Sequence, residues 1–225
     1  MWLDRIPASV AFCDVETTGL AKDDRIVSFG GIGMISSELA AGQLDLRYSY
    51  LVFNPGKKNH RHAEQVHGFS DLSLRFQDPF KVHAAHVRRF LTSYQLLVAH
   101  NAAFDFRFIN RELILARLPT LTQPIYCTMK GYRSLGIGGS ASLNAVCSQI
   151  KLARSGETHG AMEDAWLSMQ IYLWLHGCPH QGRLPDSIPR TPSNFRDCEI
   201  RQRFASRRMP TWVVGSRGRR AAVSI

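Results

Sequence analysis

Asp14 and Glu16 stand two residues apart in the string Phe12-Cys-Asp-Val-Glu-Thr-Thr-Gly-Leu20, which begins with the residue types of a β-strand. Side chains two apart on a strand project from one face. Both carboxylates therefore point together at the strand's C-terminal end, where ligands bind in α/β sheets. Two carboxylates this close repel each other unless a cation lies between them. Hard divalent ions such as Mg²⁺ or Mn²⁺ match an all-oxygen donor set. Taken alone, the triplet is equally a pair of solvated strand-end acids. Thr17, Thr18 and Gly19 then turn the chain and bring hydroxyl and backbone donors close by.

Two further segments carry groups of the same kind. In His100-Asn-Ala-Ala-Phe-Asp105, an apolar strand gives way to a helix, and Asp105 falls near the first helical turn. A carboxylate there is also ordinary complementation of the helix dipole. In His159-Gly-Ala-Met-Glu-Asp164, five helical residues would rotate the second side chain about 140° from the first. His159 and Asp164 can serve one site only if His159 precedes the helix that bears Asp164, and Gly160 permits such a break. Histidine titrates nearest neutrality, which suits a general base. A loop histidine beside a first-turn aspartate explains this segment equally well.

The elements that must position these groups form a mixed pattern. Strands are expected over Ser9–Glu16, Arg25–Met34 and Leu44–Phe53, joined by short turns as an antiparallel meander. Gly30, Gly31 and Gly33 lie inside the second strand pattern and mark a bulge or a close backbone approach; they open no helix and so are no dinucleotide loop. Helical spacing runs from Pro79 to Thr92. A short buried strand follows at Gln95–Ala99, then a helix from Ala102 to about Arg117 with Asn101 as cap. Pro124–Thr128 reads as a strand, Ser142 caps a helix to Ile150, and Gly160–Leu175 is a last helix stopped by Gly177 and Pro179. The fold class is α/β, a mixed sheet flanked by helices.

The 225 residues suit one ordinary domain with a tail, and 44% hydrophobic content is enough for a core. No apolar run is long enough to cross a bilayer, and no charged segment followed by a long apolar stretch opens the chain. Five widely spaced cysteines with no C-x-x-C pair read as reduced thiols in a cytoplasmic protein. The net charge of +10 is uneven: residues 179–225 hold ten Arg, no Lys and three acids. They also hold five of the ten prolines. The chain is therefore divided into a domain over 1–178 and a basic Pro/Arg-rich extension over 179–225. The extension is read as a linker to about Pro192 and a short basic helix over Ser193–Arg208, with Trp212-Val-Val214 as an apolar spot. The basic excess points to a polyanion, of which nucleic acid is the commonest.

Read jointly, D-x-E, then H-N-x-x-F-D, then H-x-x-x-x-D, in this order on β, α and α elements, resembles the DEDDh 3′→5′ exonuclease family with its RNase H-like fold. The family includes the proofreading subunit of bacterial DNA polymerase III. The resemblance covers roughly residues 9–176 and is supported by Asn54-Pro-Gly56 followed by Val66-His-Gly68, and by Ser142-Leu-Asn144. It implies a five-stranded sheet, three strands in an antiparallel meander and two parallel, and a two-metal mechanism with Mg²⁺ or Mn²⁺. Asp14 is then the ligand shared by both ions, Glu16 and Asp164 complete the site of the ion that holds the attacking water, Asp105 supports the second ion, and His159 takes the water's proton. Two ions about 4 Å apart activate water and stabilise the leaving oxygen of an in-line displacement. The resemblance further implies that Thr17 meets the terminal 3′-hydroxyl, Leu20 wedges between the last two bases, and Phe104 and His67 flank the terminal nucleotide. Core packing is the rival account of Leu20 and Phe104, and an exposed loop histidine that of His67. The implied partner is nucleic acid with a free 3′ end, DNA ahead of RNA, in proofreading or repair, with a DNA polymerase as a further partner through the extension. An exoribonuclease, and a non-catalytic nucleic-acid-binding module, remain alternatives at the level of sequence.

Overall fold

A computed structural model describes residues 5–42, 45–152, 154, 160–181 and 184–196. Strand β1 (Ser9–Thr17) is the centre of a five-stranded sheet. On one side it pairs antiparallel with β2 (Ile26–Ile35), which pairs antiparallel with β3 (Arg47–Val52). On the other side β4 (Leu96–Ala99) and β5 (Ile125–Cys127) continue the sheet in parallel. The order β3-β2-β1-β4-β5 is the three-strand meander plus two parallel strands that the sequence led us to expect.

The alternation of β1 divides its side chains between two cores. Val10 and Phe12 join a cluster dominated by α8 (Ala161–Leu175). Ala11, Cys13 and Val15 join a cluster built by α4 (Phe80–Thr92) and α5 (Ala102–Leu115). A strand covered on both faces reads as a near-continuous apolar run, which is how β1 and β2 read. By the same period of two, Asp14 and Glu16 continue the face of Val10 and Phe12, toward α8. Helix α8 is apolar around nearly its whole circumference, as a helix enclosed by the core must be. Its Trp166 and Tyr172 are fully buried, and Tyr172 meets Phe12 edge-on at 5.4 Å between ring centres.

The glycines of β2 are sites of close approach. Gly30 lies opposite Asp14 in the β1–β2 register, and a Cβ there would run into the backbone of Ala161 and Met162. The first turn of α8 is thus seated on β2 beside Asp14. Gly33 in the same way leaves room for the Tyr94 ring. The register shift of this ladder falls at Glu16/Thr17, where the chain leaves the sheet for its turn.

Four short helices have no counterpart in the sequence reading: α1 (Ser36–Ala40), α2 (Arg61–His67), α3 (Asp71–Arg75) and α6 (Thr128–Arg133). Helices of one or two turns carry too little periodicity to register. In α7 (Leu143–Gln149) the Ser142 hydroxyl accepts from the Ala145 N–H, as its position implied. Asn101 occupies the cap position of α5, but its side chain makes no capping bond.

Part of the extension returns to the domain. Leu184 and Ile188 are buried in the α8 core, and the Ser193 N–H donates to the Tyr50 carbonyl at 2.9 Å. The Asn194 carboxamide pairs with both backbone groups of Val52, at 2.9 and 2.7 Å, occupying hydrogen-bonding positions on the outer edge of β3. Gln77 does the same for the backbone of Arg196. Ser193–Arg196 form a turn and irregular chain where a helix was expected to begin; the rest of that expected helix, and Trp212–Val214, lie outside the described residues. Among the described residues, no helix is long and apolar enough to cross a membrane.

Candidate active site

The four predicted carboxylates line one cavity of about 210 Å³, together with Val15, His100, Asn101, Phe104 and Leu143. Asp14, Glu16 and Asp164 form its tight cluster: one carboxyl oxygen from each lies within 4.8 Å of the others. Strand alternation delivers the first two, and the seating of α8 on Gly30 delivers the third. Asp105 arrives from the opposite layer. Strand β4 pairs with β1 only as far as Phe12, and beyond it the Val15 N–H donates to Asp105 Oδ1 at 3.2 Å.

The electrostatics follow from this crowding. Burial, and then the charges of Asp105, Asp164 and Glu16, push the Asp14 carboxyl well above the ordinary carboxylate range. Burial pushes Asp105 up to about 7 against the lowering effect of the Val15 N–H. Tyr50, buried on β3, is pushed up to about 12 by burial and by Glu16, Asp14 and Asp164. A divalent cation would relieve this repulsion, and the all-oxygen donor set fits a hard ion.

Arg154 was not among the sequence candidates. Its Nη1 lies 2.5 Å from Asp164 Oδ1 and 3.7 Å from Glu163 Oε2, and its Nε and Nη2 donate to Asn144 Oδ1 at 3.2 and 3.1 Å. No spacing rule marks an arginine between two helices as a partner of Asp164. His100 supports the same wall from beneath. Its Nε2 donates to the Ala141 carbonyl at 2.9 Å, so its Nδ1 accepts from the Thr128 hydroxyl, also at 2.9 Å. Burial holds this imidazole below its usual pKa. His159 lies outside the described residues; α8 begins at Ala161 behind an extended Gly160.

Beside the carboxylates opens a larger groove of about 740 Å³, lined among others by Glu16, Thr17, Leu20, Lys57, His60, His67 and Phe104. All four residues expected at the terminal nucleotide therefore face one space. The Thr17 hydroxyl donates to the Gly19 carbonyl at 2.7 Å, holding the turn. Leu20 is 79% exposed, which removes core packing as its account. Phe104 borders both cavities while its ring packs on Phe108 at 4.8 Å, so it has a share in each role. His67 is not an exposed loop residue: it ends α2, is buried, and its Nδ1 accepts from the Phe69 N–H at 3.0 Å. Burial lowers its pKa to about 4, so at neutral pH the ring is uncharged, with its proton on Nε2. The turn itself is braced by Asp24, whose carboxylate accepts from the Thr18 hydroxyl, the Ala21 N–H and the Lys57 ammonium at 2.7, 2.8 and 2.9 Å.

DNA polymerase III subunit epsilon of Rickettsia prowazekii is 33% identical over 172 residues, covering 73% of this chain and 72% of that protein. The subunit of the same name from Escherichia coli is 25% identical over 175 residues, covering 73% and 70%. Among solved structures, exonuclease X in complex with 5′ overhanging duplex DNA superposes with a TM-score of 0.58 at 22% identity, over 75% of this chain and 91% of that one. Exonuclease I gives a TM-score of 0.64 at 16% identity, although this chain spans only 43% of its length. These two share the fold. The RNase T exonuclease family model matches residues 11–172, and on that match the chain belongs to the exonuclease family, hydrolases of phosphodiester bonds.

Proposed function

We propose that the protein is a 3′→5′ exonuclease that removes nucleoside 5′-monophosphates one at a time from single-stranded or frayed DNA ends. The observation that carries this reading is the clustering of Asp14, Glu16 and Asp164, with Asp105 in the same cavity, at the end of a groove shaped by Leu20, Thr17, His67 and Phe104. In this reading the four carboxylates hold two divalent ions, Mg²⁺ or Mn²⁺. Such ions, when bound, supply activation of water and neutralisation of charge at the phosphate. His159, ahead of α8, accepts the proton of the attacking water. Leu20 enters between the last two bases, Thr17 meets the terminal 3′-hydroxyl, and His67 and Phe104 flank the terminal nucleotide. The neutral His67 ring offers one N–H donor there without adding charge. The relatives named as polymerase III subunits support a role in DNA proofreading and a polymerase as partner, with the part of the basic extension beyond Arg196 as the segment proposed for that contact.

The test is a comparison of 5′-labelled DNA and RNA oligomers of one sequence with Mg²⁺ or Mn²⁺. The reading expects a ladder shortening by single nucleotides from the 3′ end, faster on DNA. Internal cuts, or faster loss of RNA, would count against it.

A further inference from the structure

A third cavity, of about 240 Å³, opens beside the turn that carries Leu20. It is lined by Lys22, Arg107, Phe108 and Arg111, three cations and one aromatic ring with no acidic side chain. The residues come from two elements held in fixed relation. Phe104, Arg107, Phe108 and Arg111 form one stripe of α5, at helical spacings of three and four. Arg111 Nη1 donates to the carbonyl oxygens of Lys22 and Asp24, the latter at 2.6 Å, and so pins the turn to that stripe. The Arg107 guanidinium lies over the rings of Phe104 and Phe108, 5.7 and 4.9 Å from their centres, within cation–π distance of both.

Of the two lysines that line the neighbouring groove, Lys57 is tied to Asp23 and Asp24 at 2.8 and 2.9 Å and Lys58 is exposed. Lys22 and Arg107 are exposed, and among the described residues neither forms an ion pair. Unneutralised, exposed cations are what the phosphates of a single strand seek, and the buried Phe108 ring serves as their apolar floor. In the exonuclease reading only the terminal nucleotide lies 3′ of the scissile bond, and the groove takes it, so a phosphate that reaches this cavity lies on the 5′ side; Phe104, which borders the carboxylate cavity and lies under Arg107, sets the two spaces side by side.

We propose that Lys22 and Arg107, over a floor of Phe108 and Arg111, bind backbone phosphates of the substrate strand on the 5′ side of the scissile bond. This rests on the exonuclease reading and deepens it: preference for longer strands resides in this cavity and not in the groove for the terminal nucleotide. Arg107→Gln keeps a polar side chain of similar reach without the charge, and Lys22→Ala removes the second cation.

The experiment measures KM and kcat of the Lys22→Ala/Arg107→Gln protein on a deoxythymidine dinucleotide and on an oligomer of about ten nucleotides, a length within single-strand site sizes. Binding of the same labelled oligomer against salt is measured alongside. The dinucleotide should be turned over as by the unaltered protein, while KM for the oligomer rises about ten-fold. The slope of log affinity against log salt should fall by about 1.4, at about 0.7 per phosphate contact on a single strand. Equal losses on both substrates, or an unchanged slope, would overturn the proposal. If the unaltered protein released nothing from either substrate, the exonuclease reading would fail, and the salt slope would still decide the phosphate site.

Discussion

Removal of Arg154 should destabilise the ion-free protein far more than the metal-loaded one. Its guanidinium sits 2.5 Å from Asp164 Oδ1 and 3.7 Å from Glu163 Oε2, and the Arg154 and Asp164 side chains are only 13% and 7% exposed. With charge centres about 4 Å apart and an effective dielectric of about 20, the attraction is about 4 kcal/mol. Breaking a buried pair by deleting one partner costs about 3 kcal/mol or more, because the remaining charge stays buried. For a chain of this size each kcal/mol moves the melting temperature by about 2–4 °C, so Arg154→Ala should melt about 6–12 °C lower in chelator. A divalent ion held by Asp14, Glu16 and Asp164 would replace the missing positive charge. The gap between the two proteins should therefore shrink by at least half at saturating Mn²⁺. Arg154→Lys keeps the charge but loses the fork to Asn144, and should recover most of the stability in chelator. Differential scanning calorimetry with and without Mn²⁺ reads all three. An equal gap in chelator and in metal, or no gap in either, would refute the reasoning.

The buried carboxylates also set a pH dependence. The folded chain holds the Asp105 proton up to about 7, while an unfolded chain releases it near the ordinary value of about 4. Between those values the folded state binds more protons, so this residue's contribution to stability falls as pH rises through the window. Without metal, the unaltered protein should lose stability relative to Asp105→Asn from acid toward neutral pH; a constant difference would remove Asp105 as the cause. Gly30→Ala should cost about 1–3 kcal/mol or more and weaken metal binding, because its Cβ meets the backbone of Ala161 and Met162. A melting temperature equal to that of the unaltered protein would show that α8 is not seated there. Asp24→Ala removes the acceptor shared by Thr18, Ala21 and Lys57, and should raise KM about ten-fold with kcat nearly kept, read by steady-state nucleotide release. A fall confined to kcat would contradict a bracing role.

The sheet was legible because its information is local. Alternation in β1 fixes which face carries Asp14 and Glu16, and the apolar composition of α8 fixes its burial. The short helices α2 and α3 were not legible, since they are held by tertiary contacts such as the Asp71 carboxylate that accepts from the Asn59 N–H. At the site, the four carboxylates were named from residue type and their joint order along the chain, and Thr17, Leu20, His67 and Phe104 from the family resemblance; the structure brings the two groups to adjoining cavities. Arg154, Tyr50 and Asp24 were missed for one physical reason. Each is defined by what it meets across the fold, and a lone arginine, tyrosine or aspartate carries no signature of that partner in its own neighbourhood. His67 was found, but its burial at the end of α2 was not foreseeable from the string Val66-His-Gly68.

The central claim is that the carboxylates gathered at the end of β1 hold divalent ions for hydrolysis at a 3′ end. The most direct measurement is release of mononucleotide from a 3′-labelled DNA oligomer, with Mg²⁺ or Mn²⁺ and with chelator, by the unaltered protein and by Asp14→Ala and Asp164→Ala. The account predicts release by the unaltered protein only when metal is present, and none by either variant while both remain folded. Release by the variants at the unaltered rate, or undiminished release in chelator, would contradict it.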